Sequence, residues 1–433
     1  MCKVHPHIGR NGRIFIGLID VNYFADRNQN RLKVKIFKME KTLSTGIISK
    51  KVDERGTFTI HRIASIDALR GLIILIMLLD HVRGLFYINQ RLDYPINVDA
   101  TEPSLFFTRW ISHLCAPVFI LLTGVATSLY NDKHLSIKET RQFLLKRGIF
   151  LIVIEFVLCN FYFLFYKTYT AQLQVMWAIG ASMIILSGLL LFSRLAQVLI
   201  VIFITVLPHI VNQVNISDIV LLREVWVILY QVPSVLHFND TITIDVLYPV
   251  TPWVVVIYGG YLIGSLFSKN HSPSYRIKML CSIGGAMIIA CIMLRLFNNF
   301  GDPVPWVKSD NIHTIMSFLN FSKYPPSEDF LLITVGTGLL LLAAIENMSK
   351  KSIALLSPFI VFGSVPLFFY VLHLYLILAV YILAEFFWEG IDKHIGILSV
   401  WFITLVLSLI LYPLCKYFSA LKRTSKKAWM SYL

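Results

Sequence analysis

From residue 66 to residue 416 the chain is a succession of apolar runs, each about 20 residues long and most of them separated by short polar breaks. At about 1.5 Å of rise per residue, one such run makes a helix as long as a bilayer's hydrocarbon core is thick, about 30 Å. This feature fixes the expected fold class as all-α: a polytopic integral membrane protein with about ten transmembrane helices. The spans read as 66–88, 106–130, 148–167, 172–192, 195–215, 246–267, 277–297, 328–346, 361–385 and 396–416. Residues 217–236 are interrupted by Arg223, Glu224 and Pro233 and read as an interfacial segment. A membrane β-barrel is excluded, because its strands would alternate polar and apolar residues. Hydrophobic residues make up 56% of the 433 and charged residues 15%, too few to coat a water-soluble globule. A cytosolic enzyme, a secreted disulfide scaffold and a disordered chain are excluded on the same ground.

Charge gives the expected orientation. Under an amino-terminus-inside reading, the inner loops and carboxyl tail hold 16 Lys/Arg and the outer loops 6. Positive charge is retained on the cytoplasmic side, so both termini read as cytoplasmic. Residues 1–70 hold 14 Lys/Arg against 6 Asp/Glu. Residues 1–60 read as a basic, disordered cytoplasmic tail, or as an over-long start with Met39 as the true initiator, ahead of a membrane domain at 61–433. Within the tail, 13–24 has the pattern of a short strand without an evident partner. A basic tail beside a membrane domain points to anionic lipid headgroups as its partner, not to nucleic acid. The six cysteines show no C-x-x-C spacing and read as small buried hydrophobes, with no metal site.

Ionisable side chains inside hydrocarbon are costly and therefore candidates for function. In the first span, Arg70 and His81 are eleven residues apart. That is about 20° past three full helical turns, so they share a face about 16 Å apart along the axis. Asp67 is one turn before Arg70, and Asp80 adjoins His81. Arg70 has two readings, a positive-inside anchor or part of a site. In the second span, Arg109 and His113 are at i and i+4, on one face, and Pro117 is placed to kink the helix. His113 and His81 each lie about seven residues from the outer end of their spans, so antiparallel neighbours would hold them at similar depth. His373 in the ninth span and Glu155 in the third fit a helix-to-helix hydrogen bond as well as a functional role. Lys146 and Arg147 end an inner loop, as a stop-transfer anchor or a phosphate clamp. Trp253, in LYPVTPW, and Lys323, in KYPPS, fit either interfacial anchoring or the rim of a cleft. The motifs G-x-S-x-G, Walker P-loop and H-E-x-x-H are absent from the sequence, as is a complete Rossmann fingerprint.

Several strings together resemble a known family. They are S-x-D-x-L-R-G at 65–71, D-H-x-R at 80–83, T-R-W-I-S-H-L-C-A-P-V-F-x-x-L-T-G at 108–124 and K-R-G at 146–148. They continue with Y-P-x-x-P-W at 248–253, K-Y-P-P-S at 323–327 and G-x-V-P-L-F-F-Y-x-L-H at 363–373. They look like the bacterial-type pattern of the heparan-α-glucosaminide N-acetyltransferase catalytic domain family. The spacing R-x10-H is also similar to the motif of the broader transmembrane acyltransferase group. The resemblance implies an inner-membrane enzyme that moves an acetyl or short acyl group from cytosolic acyl-CoA, chiefly acetyl-CoA, to a sugar amine or hydroxyl at or across the membrane. On this reading His81 is the candidate base, with Asp80 or His113 orienting it or helping to bind the acceptor. Arg70, Lys146 and Arg147 bind the donor phosphates, and Arg109, His373, Trp253 and Lys323 bind the glycan acceptor. The rival expectation is a proton-coupled secondary transporter, in which the Asp80–His81 pair relays protons.

Overall fold

The apolar runs fold into helices, and serine or aspartate starts several of them. In the computed structural model, the side chains of Ser136, Ser272, Asp310, Ser327 and Ser349 each accept the backbone N–H three residues on, satisfying a donor the helix cannot pair internally. The structure describes residues 13–16, 19–22, 63–87, 96–160, 169–211, 220–230, 235–237, 242–388, 390, 395–425 and 430. Two compact units divide the chain, Met1–Ile47 and Ile48–Leu433.

In the first unit, β1 (Arg13–Ile16) pairs antiparallel with β2 (Ile19–Asn22). The strand expected at 13–24 is thus a hairpin whose partner lies inside the same stretch. The rest of the tail, Met39 included, lies outside the described residues.

The second unit begins with α1 (Ala64–Phe86), α2 (Pro103–Ser112), α3 (Cys115–His134) and α4 (Ile137–Ile154), the last prolonged by a π-helical turn, Glu155–Cys159. After β3 (Tyr169–Leu173) come α5 (Val175–Leu189), α6 (Arg194–Val211) and α7 (Val220–Leu229). The strands β4 (Val235–His237) and β5 (Ile242–Val246) complete a sheet of order β3-β5-β4, parallel then antiparallel. Helices α8 (Val250–Gly264), α9 (Pro273–Phe297), α10 (Asn311–Phe318) and α11 (Glu328–Glu346) follow. The chain then forms α12 (Lys350–Leu355), α13 (Ser357–Ser364), α14 (Pro366–Phe387) and α15 (Ile397–Thr424).

Among the described residues, six helical segments are long and apolar enough to cross a membrane: α2 with α3, α8, α9, α11, α14 and α15. Ten were expected from the apolar runs. Residues 220–229 of the expected interfacial segment form the ten-residue α7, too short to cross. Two expected spans are broken, both by proline. The run 106–130 is interrupted at His113–Leu114 between α2 and α3, because the ring of Pro117 excludes the carbonyl four residues before it. The run 361–385 breaks after Ser364, and Pro366 sits in the first turn of α14, where its missing N–H costs nothing.

Lipid supplies no hydrophobic force between helices, so close packing holds the bundle. Glycines set the crossings. A methyl group at Gly71 would overlap the backbone of Phe359, and one at Gly363 the backbone of Asp67, so α1 and α13 touch main chain to main chain. Gly124 and Gly260 do the same for α3 and α8. Buried Arg276 of α9 pairs with Glu346 of α11, which also accepts from the Ser65 hydroxyl of α1.

Candidate active site

The cavity that gathers these residues, of about 460 Å³, is built around the second half of α1. Asp80, His81 and Arg83 line it together with Cys115 and Phe119 of α3, Gln172 of β3, Gln174, Tyr248, Lys323, Tyr324 and Tyr370. The single stretch D-H-x-R therefore contributes three polar groups, because positions 80, 81, 83 and 84 of one helix all reach the same opening.

His81 and His373 are joined across 292 residues of chain. Nδ1 of His81 lies 2.7 Å from Nε2 of His373, and the two rings meet edge to edge, 6° from parallel with centroids 5.0 Å apart. Nδ1 of His373 is 2.9 Å from the carbonyl oxygen of Phe369. A carbonyl only accepts, so His373 carries its proton on Nδ1 and its Nε2 accepts. The proton of the bond between the two rings therefore belongs to His81 Nδ1. Neutral His81 is left with its lone pair on Nε2, the form a general base requires. His373 is fully buried and does not line the cavity; it sits behind His81.

Asp80 accepts from Arg83 at 2.9 Å and lies 3.9 Å from the Lys323 ammonium. Lys323, 6% exposed, is also 5.2 Å from the ring centroid of Tyr324. It is brought there by the connection between α9 and α11, which two buried charges hold in shape. Arg295 donates to four carbonyls, those of Val304, Ser317, Phe318 and Asn320, at 2.7–3.0 Å. Asp302 accepts from the backbone N–H and hydroxyl of Ser322 and from the Ser327 hydroxyl. Tyr324 donates its hydroxyl to that of Tyr248 at 3.4 Å. Tyr248 in turn packs on buried Trp253, 5.3 Å between centroids. Trp253 thus backs the lining and is not part of it.

Arg109 and His113 are buried at the end of α2, beside the cavity and not in its lining. His113 sits edge-on to Phe330 of α11, and the charges acting on it are Lys323, Arg109, Asp80 and Arg83. Its ring nitrogens have no hydrogen-bond partner among the described residues. Glu155 accepts the Trp177 backbone N–H at 3.1 Å. It is a carboxylate at the amino end of α5, where the helix dipole favours it.

The three candidate donor-binding residues stand apart from the cavity. Arg70 donates to Asp67 at 2.9 Å and to the Gly363 carbonyl at 3.2 Å, which ties α1 to α13. Lys146 is exposed on α4. The half-buried Arg147 lies 5.9 Å over the Phe143 ring. Exposed or half-exposed cations suit phosphate oxygens, and Lys146 and Arg147, about 100° apart around α4, are more open to them than Arg70, which is held by Asp67 and the Gly363 carbonyl.

Sequence reasoning did not single out Gln172, Gln174, Tyr248, Tyr324 and Tyr370. A signal existed for four of them. Gln172 and Gln174 are two apart, the strand period that puts both on one face, and the two tyrosines each precede a proline in the segments at 248–253 and 323–327.

The family described as heparan-alpha-glucosaminide N-acetyltransferase, catalytic, matches residues 62–294. The match includes Asp80, His81, Arg109 and His113, while Lys323 and His373 lie beyond it. No curated protein matches the chain.

Proposed function

Because the chain belongs to the heparan-alpha-glucosaminide N-acetyltransferase catalytic family, we propose that it transfers an acetyl or short acyl group from cytosolic acyl-CoA to the amine or hydroxyl of a sugar at or across the membrane. The observation that carries this reading is the chain from the Phe369 carbonyl through His373 to His81, which leaves a basic nitrogen on a residue lining a cavity. The acceptor's nitrogen or oxygen bonds to the acetyl carbonyl as its proton passes to His81 Nε2. The carbon–sulfur bond breaks, and His81 returns the proton to the departing thiolate. Asp80 and Lys323 hold the acceptor beside His81, and Asp80 favours the imidazolium that forms. Tyr248 and Tyr324 offer aromatic faces and hydroxyls, and Gln172 and Gln174 planar amides, which are groups that orient a sugar ring.

Lys146 and Arg147 bind the donor phosphates, with Arg70 at the same end of α1. The four long helices outside the six most apolar segments, α1, α4 with its π-helical turn, α5 and α6, complete ten crossings. Both termini are cytoplasmic, in keeping with the distribution of Lys and Arg among the loops. The test is transfer of radiolabelled acetyl from acetyl-CoA to amino-sugar or glycan acceptors by purified protein in vesicles. Labelled acceptor is expected; none with any amino sugar or glycan overturns the reading.

A further inference from the structure

The cavity has a polar floor and an apolar wall, and the wall stands at the edge of the bundle. Leu158, on the π-helical turn that ends α4, contributes to the wall together with Leu374, Tyr375 and Leu378 of α14. The two elements are linked there by a hydrogen bond of 2.6 Å from the Tyr375 hydroxyl to the Leu158 carbonyl. Tyr375 lines the cavity and is also 36% exposed, so the cavity reaches the protein surface at this seam.

What lies outside the seam follows from the two helices that form it. On α4, Ile149 and Val153 are exposed one turn apart, and Val157 continues the row into the π-helical turn. On α14, Tyr375 begins a row continued by exposed Ile382, Leu383 and Phe386. Apolar rows on a polytopic chain are surfaces for acyl chains, so the seam opens sideways to lipid and not to water.

The donor's charged groups are remote from the seam. Lys146 lies twelve residues, about 18 Å, back along the helix from Leu158, and Arg70 lies about 22 Å along α1 from Leu85, another wall residue. A bare amino sugar would occupy the polar floor and leave the wall against water, an unfavourable use of apolar surface. We infer that the acceptor is amphiphilic: an amino sugar or glycan carried on an alkyl or lipid anchor. It enters laterally between α14 and the end of α4, with the sugar on Asp80, His81 and Lys323 and the first methylenes between Leu158, Leu374 and Leu378. The inference rests on the acyltransferase reading and names the substrate class of the same site.

The test uses the full chain in vesicles, radiolabelled acetyl-CoA, and methyl and octyl glucosaminides. From methyl to octyl, kcat/KM rises by about tenfold or more, and Leu378→Gln lowers the octyl-to-methyl ratio severalfold. An octyl glucosaminide bearing a diazirine on its chain labels peptides containing Leu158 and Leu374–Leu378, a readout that needs no turnover. Equal transfer to both acceptors, or label confined to other helices, overturns the amphiphilic acceptor and leaves the enzyme reading standing. A gain from acetyl to octanoyl donors that Leu378→Gln removes, with none from the acceptor's chain, gives the wall to the donor and overturns the inference as well. Label at the seam without transfer to any acceptor overturns the enzyme reading and keeps the lipid-facing site.

Discussion

Nδ1 of His81 donates to Nε2 of His373 at 2.7 Å, with the two rings within 6° of parallel. One histidine chooses the tautomer of the other. If His81 takes the acceptor's proton, His81→Ala lowers kcat by about 10²-fold or more. With the donor phosphates on Lys146 and Arg147, as proposed, acetyl-CoA affinity changes little, because neither residue lines the cavity that holds His81.

His373 acts through His81 and so has a different signature. His373→Phe keeps an aromatic ring at this position and removes the acceptor nitrogen, which frees His81 to adopt the wrong tautomer. The expected result is a fall in kcat with KM for the sugar nearly unchanged, and partial recovery in His373→Gln, whose amide oxygen can accept. Steady-state kinetics on the three proteins separates this from a packing defect, which would lower folded protein and leave kcat per folded molecule intact.

The residues that share a helix turn were legible in the sequence; those that meet across the bundle were not. Asp80, His81 and Arg83 are close because a helix makes them close, and the apolar runs marked that helix to within two residues at each end. The approach of His373 and Lys323 to the same site depends on how α14 and the α9–α11 connection pack, which no local pattern encodes. Glu155, which fitted a helix-to-helix hydrogen bond as well as a functional role, makes such a bond, accepting from the first turn of α5. Arg70, read as an anchor or as part of a site, has its guanidinium between two helices.

That outcome separates the basic residues on the donor side. Lys146→Ala weakens acetyl-CoA binding by calorimetry with little change in thermal stability, because Lys146 is exposed. Arg70→Ala lowers the melting temperature in detergent, since it removes a partner from buried Asp67. Unchanged melting in Arg70→Ala would mean that its contact with α13 is immaterial.

Asp302 lies outside the cavity but fixes the segment that carries Lys323. Asp302→Asn replaces acceptor oxygen by N–H opposite the Ser322 and Ser327 donors. A stability loss of about 1–3 kcal/mol is expected, together with a higher KM for the sugar. Denaturation in mixed micelles and acceptor titration measure the two effects.

Gly124 and Gly260 test the helix crossings. Either one changed to leucine forces α3 and α8 apart where backbone meets backbone. The expected result is loss of monodisperse protein on size-exclusion chromatography, with Gly259→Ala, whose position is open, as the tolerated control.

The connection between α9 and α11 has a consequence for how turnover is timed. Arg295 occupies four of its carbonyls and Asp302 gathers two of its serines, so two buried side chains tie together a segment of which only α10 is helical. A segment held in this way does not act as a lid. Lys323 is then a preset fixture: on the proposed reaction, an acceptor is selected by its fit to an ammonium already in place beside Asp80, and not by a segment folding over it.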